Sequence, residues 1–453
     1  MTLFQYSLLF FGLYVAVLAF ITWKAQVMGK GAGYVIGHRG VGTFGMAASM
    51  VGILRSGSAL LFWFYFTAMF GLTAGIVIIA YYIVLIFLAF IAPRVRRMAA
   101  DHDFVTLTDF LAFKIGPHTA RMTTTLSLWI AIILIAGQIY VTGVVLGGLL
   151  SVGHTSGMFI GCGVVAAYVA LGGFISIVRT DMFQAGLIVI LALATYCLAD
   201  WPEWQQVKAD FKKTDMSTFI GFSLSALTIL PIADLWQRIF SAQSDRAVRN
   251  GILIGVGADM LVVVGMVLFI YNMIMMVPGT DPSILFETLF AGGHGDPMVI
   301  ALFGIFVLSA MMSTVDNSLY VVGSTITKNI LKIDAQSQRR RYILISRILT
   351  VATLGLLALL SLYVEDMLKF MIDTFMLVGM FAPLIMIAIF IDRANPSIDR
   401  MIVGGFAILL IIYSVMFIRG DFADMKMFII PYGLSAIAGG AIWLAHNRDR
   451  RRN

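Results

Sequence analysis

Gly45-Met46-Ala47-Ala48-Ser49-Met50-Val51-Gly52-Ile53-Leu54-Arg55-Ser56-Gly57-Ser58 is the stretch on which the fold turns. It lies inside an apolar run, 43–69, that is long enough to cross a bilayer as a helix. Arg55, two serines and Gly57 interrupt that run near its middle. Backbone groups in hydrocarbon must find partners within the protein, so a helix broken there marks a cavity or a protein-buried site. A second interruption, Ser223-Leu224-Ser225-Ala226-Leu227-Thr228-Ile229-Leu230-Pro231, falls in the run 217–240, where Pro231 removes a helix hydrogen bond. Broken helices at corresponding positions of two halves point to the midplane site of a secondary transporter. An ordinary proline kink plus small-residue helix packing is the plainer alternative.

The rest of the chain suits a bilayer. Of 453 residues, 60% are hydrophobic and only 12% charged, and the mean hydropathy is +0.95. A soluble domain carries about 25% charged residues on its solvated surface. The composition therefore excludes a soluble enzyme, a disordered chain and a disulfide scaffold. Apolar runs of helix length predict about thirteen spans. They lie near 3–23, 43–69, 70–92, 122–150, 157–177, 181–199, 217–240, 251–277, 298–328, 342–363, 367–391, 401–419 and 426–446. The two breaks then sit in the second and seventh spans, five apart. The connections are too short for an independent core, so residues 1–453 read as a single all-α polytopic membrane domain. No Lys or Arg precedes Lys24, which argues for an uncleaved first span rather than a secretory signal.

Charge fixes the orientation. With thirteen spans, 24 of the 31 Lys and Arg residues fall in loops on the side of the C-terminus, six on the other side, and Arg55 within a span. Positive loops stay cytoplasmic, which puts the N-terminus outside and the C-terminus inside, as in a bacterial inner membrane. The net charge of +7 is thereby topology, not a nucleic-acid footprint. Trp23, Trp201, Trp204, Trp236 and Trp443 fall near span ends, where amphipathic rings anchor. Cys162 and Cys197 read as buried free thiols. No G-x-x-x-x-G-K-[ST] loop is present, so nothing here couples to ATP. The six histidines lack metal-ligand spacing, and no cofactor is expected. Asp373 reads as the cap of an extracellular helix end.

A third segment, Leu308-Ser309-Ala310-Met311-Met312-Ser313-Thr314-Val315-Asp316-Asn317-Ser318, adds adjacent hydroxyls. Two hydroxyls and helix carbonyls from an unwound partner would suit a hard cation such as sodium. Hydroxyls bonding back to the i−4 carbonyl are the commoner use. Asp316 weighs more, since a carboxylate inside a span usually faces a pathway.

These residues carry a resemblance. Gly37-His38-Arg39-Gly40, Gly172-Gly173-Phe174 leading to Thr180-Asp181-Met182-Phe183-Gln184, and Asp234-Leu235-Trp236-Gln237-Arg238-Ile239-Phe240-Ser241-Ala242 occur in order. Ser313-Thr314-Val315-Asp316 leads on to Thr327-Lys328-Asn329. The chain thereby resembles, nearly end to end, the sodium/solute symporter family of proline and pantothenate permeases and sodium–sugar transporters. The resemblance implies leucine-transporter-type inverted five-helix repeats, 43–199 and 217–391, with flanking helices in 1–42 and 399–453. It implies a sodium site from the carbonyls of Gly52, Arg55 and Ala310 and the hydroxyls of Ser313 and Thr314. Asp181 matches an acidic residue on the sodium release route. Ser56, Ser58, Ala59, Gln138, Ser225, Thr228 and Asp259 would line the substrate cavity.

Arg55 departs from the family pattern, which has an uncharged residue there. A guanidinium 4 Å from a bound cation repels it by about 4 kcal/mol at an effective dielectric near 20. Three readings stand open. Arg55 pairs with a carboxylate, Asp316 first and Asp259 second; it clamps a substrate carboxylate; or it replaces the sodium. The leading function is sodium-coupled symport of a small polar solute by alternating access. A proton-driven or sodium-independent carrier of a carboxylate, and a transporter-like solute sensor, are the rivals.

Overall fold

The computed structural model describes residues 1–29, 39–55, 57–71, 74–198, 201, 203, 205, 220, 223–224, 226–277, 279–281, 284–290, 295–334, 337–363, 377–391, 396–419 and 429–452. Among them the chain is helical apart from connections and one isolated parallel β-bridge between Val41 and Ala242. The helices are α1 (Leu3–Gly29), α2 (Thr43–Leu54), α3 (Gly57–Phe70), α4 (Ala74–Asp101), α5 (Leu107–Lys114), α6 (Pro117–Leu149) and α7 (His154–Leu198). After a 3-10 turn at Ala226–Ile229 follow α8 (Ala233–Ser241), α9 (Asp245–Met276), α10 (Leu285–Phe290) and α11 (Pro297–Thr325). The last are α12 (Arg339–Ser361), α13 (Ala382–Phe390), α14 (Pro396–Arg419) and α15 (Ile429–Arg452).

Nine helices among the described residues are long and apolar enough to span a membrane, and the bent pair α2 and α3 makes a tenth. Thirteen spans were expected. The difference has local causes. The expected runs 157–177 and 181–199 share the single helix α7, whose 45 residues reach roughly 68 Å at 1.5 Å per residue, about twice the hydrocarbon thickness. The expected spans 217–240 and 367–391 fall partly outside the described residues.

Both expected breaks exist. Helix α2 stops at Leu54, Arg55 is non-helical (φ −110, ψ 54), and α3 resumes at Gly57 with a 51° bend across the pair. Around Pro231 the helix gives way to the 3-10 turn, and the indole nitrogen of Trp236 donates to the Leu230 carbonyl at 2.6 Å. Trp236 is fully buried, stacked on Phe110. It therefore fills a gap in the backbone ladder rather than anchoring at the interface. Trp23, Trp201 and Trp443 are exposed as expected, and Trp204 lies outside the described residues. The cysteines are unpaired, but Cys162 is only partly buried and Cys197 is exposed.

Packing against α9 fixes where the first break lies. A Cβ on Gly251 would collide with the Met46 side chain and approach the Thr43 carbonyl at 3.0 Å. One on Gly255 would meet the Met50 Cβ at 2.6 Å and the Ala47 carbonyl at 2.9 Å. Small residues four apart let two helices approach closely in a membrane. The pairs 251 with 46 and 255 with 50 set a parallel register, and the next step along it brings Asp259 level with Leu54, one residue before Arg55.

The basic loops expected on one side meet at one end. Arg39 donates to the Phe240 carbonyl (2.7 Å), Asp103 (2.9 Å) and the Phe104 carbonyl (3.2 Å). Arg96 bonds the Ala242 and Gln243 carbonyls and Asp245. Lys328 and Asn329 both reach Asp109, which also closes the capping box of α5 with Thr106. Val41 exchanges backbone bonds with Ser241 and Gln243, tying the entry of α2 to the exit of α8. We predict that Gly255→Ala lowers the thermal midpoint of the detergent-purified protein, an overpacking cost of about 1–3 kcal/mol. Gly257→Ala, two residues on and with nothing within 4 Å of its Cβ, serves as the control and leaves the midpoint unchanged or higher. Equal effects at both positions would refute the register.

Candidate functional site: a buried polar cluster and a buried charge pair at the first helix break

Two polar centres flank the break in α2. The first gathers on Asp181 of α7, which is buried. The Ser313 hydroxyl donates to its Oδ1 at 2.6 Å and the Ser49 hydroxyl lies 3.4 Å from its Oδ2. Asn317 Nδ2 stands 3.4 Å from both oxygens and donates to the Ser313 carbonyl at 2.6 Å. From α8, Arg238 Nη2 donates to Asp181 Oδ2 at 2.9 Å and also contacts Asn317 Oδ1, while its Nε lies 3.3 Å from Asp234. Gly52 closes the cluster: a Cβ there would fall 2.6 Å from the Ser313 hydroxyl. The sequence-predicted ion ligands Gly52 and Ser313 are thus neighbours. Thr314 bonds back to the Ala310 carbonyl at 3.1 Å, the commoner use of such a hydroxyl.

Asp181, which the resemblance matches to the sodium release route, sits directly on Ser313, and its charged partner is Arg238. Ser49, Asn317 and Arg238 escaped the sequence reading as site residues. Arg238 lay within a quoted motif, and Asn317 stands four residues after Ser313, on the same helix face.

The second centre is the Arg55 side chain. Its Nε and Nη2 grip Asp259 at 2.5 and 2.6 Å, with both side chains fully buried. The Tyr82 hydroxyl donates to Asp259 Oδ2 at 2.9 Å, and the Trp63 ring centroid lies 5.8 Å from the Arg55 guanidinium carbon. The expected pairing of Arg55 with Asp316 is therefore corrected to Asp259. The cause is the α2–α9 register, which delivers Asp259 at the level of the break. Asp316 faces α7 instead, where Tyr168 donates to it at 3.1 Å. Arg55 and Asp259 carry opposite charges, so the pair presents no net charge to a cation nearby.

Of the expected substrate residues, Gln138 is buried on α6, and Thr228 on the 3-10 turn lies 3.4 Å from the Tyr81 hydroxyl. Asp259 is held in the pair. Ala59 lies in the first turn of α3, partly buried. Ser56, Ser225, the Ser58 side chain and Asp373 lie outside what the structure describes.

With this geometry in view, the relatives are informative. No family model matches the chain. An osmoregulated proline transporter of Bacillus subtilis is 24% identical over 438 residues, covering 88% of this chain and 87% of that protein. A sodium/proline symporter of Staphylococcus aureus is 25% identical over 391 residues, covering 77% and 72%. Among solved structures, a substrate-bound, outward-open Na⁺-coupled sialic acid symporter superposes with a TM-score of 0.77 at 16% identity over 98% of both chains. A nucleobase-cation-symport-1 family transporter gives 0.58 at 15% identity over 92% and 94%. The fold is accordingly the leucine-transporter-type fold of secondary transporters, in an integral membrane protein. Within that class, the chain resembles the sodium/solute symporters.

Breaking one half of a buried ion pair costs about 3–5 kcal/mol because the other charge is stranded. Arg55→Ala should lose stability on that scale, and Arg55→Ala with Asp259→Ala should recover part of it. The same rescue by Asp316→Ala is not expected. Thermal unfolding of the variants in detergent decides, and recovery with Asp316→Ala alone would reverse the assignment.

Proposed function

We propose that the protein is a secondary active transporter that couples inward sodium movement to symport of a small polar solute by alternating access. The observation that carries this reading is the Ser313 hydroxyl, packed against Gly52 at the break of α2 and bonded to the Asp181 carboxylate. Sodium takes several hard oxygen ligands. The carbonyls of Gly52 and Arg55 from the broken helix and that of Ala310 from α11 supply three. The hydroxyls of Ser313 and Thr314 supply the rest, with Asp181 adding charge beside them. Asp259 neutralises Arg55, which removes the objection that a bare guanidinium would expel the ion.

In this reading the segments 43–199 and 217–391 are inverted repeats that rock about the two breaks, with 1–42 and 399–453 as flanking spans. The basic end faces the cytoplasm, the N-terminus lies outside, and the membrane is the bacterial inner membrane. Proline, which the named relatives carry, is the first solute to assay.

Uptake of radiolabelled proline and other small polar solutes into proteoliposomes, with and without an inward sodium gradient, tests the reading. Accumulation that follows the gradient is expected. Equal uptake with sodium replaced by choline and a proton gradient imposed would overturn sodium coupling. Three variants bear on the ion site in the same assay. Ser313→Ala and Gly52→Ala should each raise the sodium half-saturation, the first by removing an oxygen and the second by placing a methyl against that hydroxyl. Asp181→Asn should raise it too and slow turnover, since it deletes the negative charge of the cluster. Unchanged sodium dependence in Ser313→Ala with Thr314→Ala would sink the site.

A further inference from the structure

The Arg55 fork is only partly used. Nε and Nη2 are committed to Asp259, and Tyr82 takes a further position on that carboxylate. Arg55 Nη1 is buried and has no hydrogen-bond partner among the described residues. A guanidinium N–H left without an acceptor in a low-dielectric interior is costly. Two residues further along the chain α3 begins at Gly57 and runs for 14 residues. Its first-turn N–H groups have no acceptors within the helix, and its dipole is positive at that end. The break thus presents at least one buried donor, Arg55 Nη1, with no acceptor among the described residues.

We propose that Arg55 is a specificity-determining residue, its free Nη1 receiving a carboxylate oxygen of the transported solute, with Asp259 and Tyr82 as the positioning residues that aim it. The solute class is a small monocarboxylate or a zwitterion bearing one. A charge-assisted bond favours a carboxylate over a neutral hydroxyl or amide oxygen. Charge balance points the same way. The Arg55–Asp259 pair is neutral, so a monocarboxylate and one sodium ion load the site with no net charge, which suits a dry interior, whereas a zwitterion with sodium leaves one positive charge and rests on the Nη1 donor alone. This balance rests on the sodium-coupled reading above; the donor geometry does not.

The test compares acid and amide partners of one shape: L-proline with L-prolinamide, L-lactate with lactamide, and acetate with acetamide. Binding is read from thermal shifts of the purified full chain in sodium. Wild type is expected to favour the acid member of at least one pair by about tenfold or more, the scale of a hydrogen bond to a charged group. Arg55→Gln with Asp259→Asn keeps the shapes and removes both charges, and should bring that pair close to parity. Tyr82→Phe keeps every charge and should lower the preference by about threefold through looser aim. Amides binding as tightly as acids in wild type would overturn the proposal whether or not the double variant folds. So would an acid preference that survives in the double variant. Sodium-driven uptake of neutral solutes without acid preference would remove the Arg55 role and leave symport standing. Acid preference without sodium dependence would support the Arg55 role and remove the coupling.

Discussion

In hydrocarbon a backbone carbonyl or amide without a partner costs several kcal/mol, and that constraint governs the centre of this molecule. A helix can stop there only where protein groups take over its hydrogen bonds. At the second break the Trp236 indole takes over the Leu230 carbonyl, and Trp236 is itself held by the ring of Phe110. At the first break the local helix ends with the Arg55 amide still bonded to the Val51 carbonyl. A helix end leaves its last-turn carbonyls without intrahelical partners. An ion or a solute can satisfy them without any side chain moving into the gap.

Charged groups in the interior obey the same rule in another form. Arg55 is answered by Asp259, and Arg238 by Asp181 and Asp234. Stranding any one of them is far more costly than leaving the pair intact. The pairs also tie elements together across the halves of the chain: α2's end to α9, and α7 to α8. At the basic end, Arg39, Arg96 and Lys328 do the same with exposed or half-buried carboxylates. Those pairs are partly exposed and so better screened than the fully buried ones.

Much of this was legible in the sequence. Apolar run lengths gave the membrane class, and polar residues in mid-run gave both breaks before any coordinates. The juxtaposition of Gly52 with Ser313 followed from the family resemblance. What failed was lateral information. Hydropathy treats each run alone, so it cannot say which faces meet. Asp316 and Asp259 both lie inside expected spans, and which of them meets Arg55 is set by helix–helix register. That register was written as Gly251, Gly255 and Asp259, three positions at a spacing of four, and small residues at that spacing announce close approach. Trp236 was misplaced for a related reason: its position at a run's end resembled an interface, while Pro231 nearby had created a buried need for a donor.

The two centres differ in the groups they gather, and on the proposed reading that difference divides their roles. Around Arg238 stand three carboxylates, Asp181 and Asp234 in contact with it and Asp316 on the neighbouring turn from Ser313. The α7–α11 side thus gathers carboxyl and hydroxyl oxygens, the hard ligands a cation takes. Arg55 and Asp259 cancel, and the donor they leave over attracts the opposite sign. The broken helix α2 passes between these sides, with its Gly52 carbonyl region next to Ser313 and its Arg55 side chain on Asp259. A cation on one side and an anionic group on the other would draw toward the same few residues, 52–55. Each then lowers the cost of holding the other in a medium where opposite charges interact strongly. On the proposed reading, coupling between ion and solute needs no long-range pathway; the thickness of one helix end suffices.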